Sequence, residues 1–66
     1  MTDSELQTRA AAARARLKQL DPDAHCTYFP MEQKWQVHEW GRPISGFRDT
    51  GLEALEEACQ ILSDER

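Results

Sequence analysis

Apolar residues recur along this chain in two rhythms. Leu6, Ala10, Ala13, Leu17 and Leu20 follow steps of four and three, which draws one narrow stripe down a helix over residues 4–20. Ser4 with Gln7, or Thr2 with Glu5, supplies the capping signal at its start, and residues 1–3 read as a frayed end. Asp21-Pro22 closes the helix, because the residue before a proline is pushed out of helical geometry. A second helix is predicted over residues 49–62. Thr50 and Glu53 form a T-x-x-E capping box, in which the threonine oxygen accepts from the Glu53 N–H and the carboxylate reaches back to the Thr50 N–H. Leu52, Leu55, Cys59 and Leu62, widened by Ala54, Ala58 and Ile61, line one side of this helix. Glu53, Glu57 and Asp64 line up along the other side, with Gln60 beside them and Glu56 at the edge.

Between the helices the period drops to two. Residues 25–29 are rich in β-branched and aromatic side chains and read as a strand that Pro30 ends. After a short connection, residues 34–40 alternate, with Trp35 and Val37 on one face and Gln36, His38 and Trp40 on the other. Gly41-Arg42-Pro43 is turn chemistry, and residues 44–47 form a third strand, with Gly46 suggesting a bulge or a close approach by neighbouring backbone and Pro43 an edge or strand-end position. The order α-β-β-β-α predicts an α+β fold, a three-stranded antiparallel sheet with both helices packed on one face. The expected core is Leu6, Ala10, Ala13, Leu17, Leu20, Cys26, Tyr28, Trp35, Val37, Ile44, Phe47, Leu52, Leu55, Cys59 and Leu62.

Sixty-six residues make a single domain, 1–66, with a small core and marginal stability. Two cysteines are too few for a disulfide scaffold, and the polar, acidic N-terminus lacks the pattern of a secretory signal. Reduced thiols in a cytoplasmic protein are expected, without a membrane span. The net charge is −4, and its distribution says more than its sum. Residues 1–20 carry four basic and two acidic side chains, whereas residues 50–66 carry one basic and five acidic. The first helix is therefore the basic element and the last the acidic one.

No motif carries chemistry. His25, Cys26, His38 and Cys59 are the only soft metal ligands, and none pairs at a metal-binding spacing. No oxyanion donor or orienting group accompanies a Cys–His pair, and the carboxylates of the last helix lie on its solvent side, where nothing raises a pKa for acid–base work. The expectation is a non-enzymatic protein with no cofactor and no metal. Trp40 beside Arg42 is the pairing most like a binding hot spot.

Topology and length resemble the double-stranded-RNA-binding domain. That family grips phosphates at a lysine-rich start of its second helix, and here the position reads Thr50-Gly51-Leu52-Glu53 with Glu56 and Glu57 following. The run Ser45-Gly46-Phe47-Arg48-Asp49-Thr50 with Glu53-Ala54-Leu55 is similar to the strand-to-helix step of the arm-binding domains of phage integrases, where the segment is basic. The HicA-type toxin nucleases share the element order, but their histidine sits in a glycine-led strand motif that His25 and His38 do not reproduce. These resemblances imply the fold and, through the carboxylates, oppose a nucleic-acid ligand. In size, acidity and lack of a catalytic constellation the chain resembles small phage and mobile-element accessory proteins, the anti-CRISPR inhibitors among them.

The functional expectation is an acidic protein-binding module, a phage-encoded inhibitor of that type. It would occupy a basic nucleic-acid-binding surface of a host complex through Glu53, Glu56, Glu57, Asp64, Trp40 and Arg42. Reversal of Glu53, Glu56 and Glu57 to lysine is expected to leave the fold intact. The alternative is a nucleic-acid-binding or regulatory module using Arg9, Arg14, Arg16 and Lys18, and a homodimer is a third option.

Overall fold

A computed structural model describes residues 2–65. The order is α1 (Asp3–Leu20), β1 (Ala24–Phe29), β2 (Lys34–Glu39), β3 (Arg42–Pro43) and α2 (Gly51–Asp64), an α+β fold of α-β-β-β-α type. The sheet is an antiparallel meander in the order β1-β2-β3. Both caps form. Thr2, not Ser4, caps α1 by accepting from the Glu5 N–H at 3.2 Å, so Thr2 and Asp3 are ordered by the helix instead of frayed; Met1 lies outside the described residues. At α2 the Thr50 hydroxyl oxygen accepts from the Glu53 N–H at 3.1 Å. The Glu53 carboxylate takes the Thr50 hydroxyl proton at 2.9 Å instead of the expected backbone N–H.

The core lies between one sheet face and the two helices. Leu17, Ala24, Val37, Ala54, Leu55, Ala58 and Cys59 are buried, with Ala13, Leu20, Cys26, Trp35, Ile44 and Leu62 packed around them. Ala24 was placed in the turn by sequence, yet it opens β1 opposite Glu39 and is fully buried. Gly51 lets α2 start directly on the Trp35 indole, because a Cβ there would meet the ring at 3.4 Å. The molecule measures 32 × 28 × 17 Å, the thin axis being one sheet plus one layer of helices. Among the described residues, no helix or further strand covers the other sheet face.

Three expected core residues are exposed. Leu6 sits level with the first turn of α2, past the apolar part of the contact, and Tyr28 lies at the far end of the sheet, covered only by Trp35 at a ring distance of 5.2 Å. Phe47 lies on the sheet face opposite Ile44. The third strand is not residues 44–47 but Arg42–Pro43 plus a single bridge between Trp35 and Arg48. In between, the N–H groups of Ile44 and Ser45 both donate to the Val37 carbonyl, at 2.8 and 3.2 Å. The Val37 N–H finds no carbonyl and donates instead to the buried Ser45 hydroxyl at 2.9 Å. Two extra residues lie between the Pro43 and Arg48 pairings, an even number that leaves the alternation unchanged, so Phe47, three positions after the core-facing Ile44, lies on the open face and packs edge-on against Phe29 at 5.4 Å.

The helices run parallel. Arg9 bonds Glu56 and Arg16 bonds Ser63, each pair 47 residues apart, and the Cys59 thiol donates to the Ala13 carbonyl across 46. Both C-termini therefore emerge at the same end of the molecule, the end that also carries the β2–β3 turn.

Candidate binding surface

The acidic side of α2 is partly spent within the chain. Glu56 receives both bonds of a paired contact from Arg9 of α1, at 2.9 and 2.8 Å. Glu57 accepts the Gly46 N–H at 2.8 Å and pairs with Arg48, which ties the bulge to the helix. Asp64 accepts from Gln60 at 3.0 Å, and Glu53 is engaged in the cap. The cations that offset these carboxylates come from α1 and from the segment before α2, so a count along the last 17 residues does not find them. Reversing Glu56 and Glu57 to lysine would set like charges on Arg9 and Arg48 and strip the Gly46 N–H of its acceptor. Such a reversal is therefore expected to cost stability.

The Gly46 N–H first, and Arg48 with it, hold the Glu57 carboxyl below its ordinary range against the opposing effect of burial. Lys34 does the same for the exposed Asp49. A carboxyl whose folded pKa is depressed adds stability that is complete above its unfolded value and disappears as pH falls through the lowered one. Chemical denaturation should thus give a flat stability between about pH 5 and 7 and a decline below about pH 4.5. Glu57→Gln should cost about 1 kcal/mol at neutral pH and make the acid decline shallower. An acid limb as steep in the variant as in the parent would show that another carboxyl drives it.

The basic side chains of α1 are also engaged. Arg9 holds Glu56, Arg16 donates to the Ser63 hydroxyl at 3.1 Å, and Lys18 donates to the carbonyls of Ala24 and Pro22 at 2.9 and 3.4 Å. Arg14 lines a cleft with Leu17, His25, Cys26 and Trp35. Burial pushes the Cys26 thiol up, with Arg14 opposing, and burial does the same to Cys59. Each thiol donates to a backbone carbonyl, Cys26 to Gly51 and Cys59 to Ala13. Among the described residues no three potential metal ligands gather. No helix is long and apolar enough to cross a membrane.

Trp40 and Arg42 lie elsewhere, at the end where both helices finish. Trp40 and Gly41 form a two-residue turn between the paired Glu39 and Arg42, with φ of +50° and +79°. Two positive φ values define a type I′ hairpin, whose first position favours Asn, Asp or Gly. A tryptophan there is strained, and its side chain is 78 % exposed. Clefts open on both sides of this turn. One, of about 180 Å³, is lined by Asp21, Glu39, Arg42, Pro43, Ile44, Ile61, Leu62 and Glu65. The other, of about 370 Å³, is lined by Pro22, Asp23, His25, His38, Trp40 and Gly41.

This end is negative for two reasons that add. Among the described residues, Asp21, Asp23, Glu39, Asp64 and Glu65 lie there, against Arg42 and the carbonyl-capping Lys18. Each helix also contributes about half a negative charge through its unpaired terminal carbonyls, and α2 has no basic side chain in its last turn. Of the residues singled out by sequence, the fold thus gathers Trp40, Arg42 and Asp64 at the acidic end. It leaves Glu53, Glu56 and Glu57 along the flank of α2. Asp21, Asp23, Glu39 and the cross-strand pair His25–His38, with rings 4.9 Å apart, were missed as site residues. Set beside known proteins, the chain matches no family model, no curated protein and no solved structure.

Proposed function

We propose that this chain is a non-enzymatic protein-binding module that docks its acidic end on a basic surface of a partner, with Trp40 as the anchor. The observation that carries this reading is Trp40 itself. A left-handed backbone and an indole in water both work against stability, and a binding role gives a reason for the two together. The surrounding carboxylates and the two helix C-termini supply a negative field that would steer a cationic surface toward the indole. A basic surface able to receive this end is one that commonly holds nucleic acid. Docking there would exclude the polyanion, and the module would act as an inhibitor of the phage-encoded, anti-CRISPR type.

The test is capture of partners from a lysate by the immobilised chain, beside a variant carrying Asp23→Lys, Glu39→Lys and Glu65→Lys. These side chains make no ion pair among the described residues, so the variant should fold. Capture should be lost in the variant, and duplex DNA or RNA should elute what the parent holds. Capture that survives the reversal would overturn the reading. Salt-sensitive binding of mixed duplexes by the chain alone would replace it with a nucleic-acid-binding function.

A further inference from the structure

We infer that the cleft beside Trp40 receives a single arginine side chain of a protein partner, stacked on the indole and paired with the Asp23 carboxylate. This deepens the reading above and rests on it. Pro22, Trp40 and Gly41 line the cleft together with the cross-strand imidazole pair of the open sheet face. His25 meets His38 edge-on at an interplanar angle of 81°, and His38 is held in place by a 2.7 Å hydrogen bond between its Nε2 and the Thr27 hydroxyl. Phe29 supports His38 from the next position, ring to ring at 6.3 Å. His38 is thus fixed beside the cleft by contacts with three neighbours.

One charged group faces this space. Asp23 uses its backbone N–H to bond the Asp21 carboxylate at 3.1 Å, and its own carboxylate has no hydrogen bond or ion pair among the described residues. An indole and one carboxylate without a partner among the described residues form a receptor for an organic cation, because the indole face carries negative charge and the carboxylate fixes the sign of the ligand. Arginine fits better than lysine. Its planar guanidinium stacks on an indole while its edge donates two parallel hydrogen bonds to a carboxylate, and it sheds water more readily than an ammonium does. The left-handed backbone of Trp40 sets its side chain at the hairpin turn, where it lines the same cleft as His25 and His38.

The experiment is an NMR titration of the whole chain with capped Gly-Arg-Gly, its lysine and citrulline counterparts, and hexalysine. The arginine peptide should shift the Trp40 indole N–H and the amides of Asp23, His25 and Gly41. It should bind roughly 3- to 10-fold more tightly than the lysine peptide, with citrulline weaker still. Trp40→Ala should remove the preference for arginine, and Asp23→Asn should weaken the arginine peptide about 3-fold. Equal binding of all three peptides, or none by any of them while hexalysine still shifts the acidic end, would overturn the cleft and leave the docking end standing. Hexalysine without effect at that end would overturn both. Shifts of the same signals with protein concentration alone would show that a second copy of the chain occupies the cleft, which also overturns the inference.

Discussion

Leu55→Ala should destabilise the protein by about 2–5 kcal/mol. Leu55 is 1 % exposed on the inner face of α2 and lies in the core with Leu17, Val37 and Ala58. Its removal leaves a void that the small neighbours Ala24, Ala54 and Ala58 cannot fill, since none has side-chain length to spare. A chain of this size has a total stability of only about 3–10 kcal/mol, so the variant should be substantially unfolded at room temperature. Leu6→Ala is the control, because Leu6 is 39 % exposed and should cost less than about 0.5 kcal/mol. Urea denaturation followed by the fluorescence of the half-buried Trp35 measures both. Equal losses in the two variants would mean that the core is not where the packing places it.

The second large effect runs in two directions at once. Trp40→Asn should stabilise the fold by about 1 kcal/mol, because asparagine accepts the left-handed conformation that strains tryptophan. In a domain this small that gain raises the melting temperature by about 4–8 °C. The same substitution should reduce affinity for the partner by more than about 2 kcal/mol, roughly 30-fold, as removal of a central aromatic anchor does. Opposite signs in stability and binding would identify a residue kept for contact. A melting temperature that falls would show that the indole supports the sheet, and the anchor assignment would be lost.

The elements of this fold were legible in sequence wherever the signal is local. The period of each helix, the cap at Thr50 and the order of strands depend on neighbours a few residues apart. The bulge was half legible. Gly46 suggested it, but the acceptance of the Val37 N–H by the Ser45 hydroxyl depends on a partner strand. Ala24 was missed because Asp-Pro-Asp before it reads as a turn, and the turn ends one residue sooner. The acidic end was illegible for a different reason. Asp21, Glu39 and Glu65 are far apart in the chain, and the β1–β2 pairing together with the parallel course of the helices brings them together. The same geometry hid Arg9 beside Glu56 and made the flank of α2 look more negative than it is.

The parallel course of the helices also orders events in time. α1 leans chiefly on α2, yet the whole sheet separates them along the chain. The meander can close through turns of two and four residues, which costs little loop entropy. α1 is synthesised first but has no surface to dock on until α2 exists. Until then its Leu17 stripe stays in water, a window in which a chaperone or a protease could reach it. Refolding experiments should find protection of the α1 amides arriving with those of α2 and after those of the hairpin.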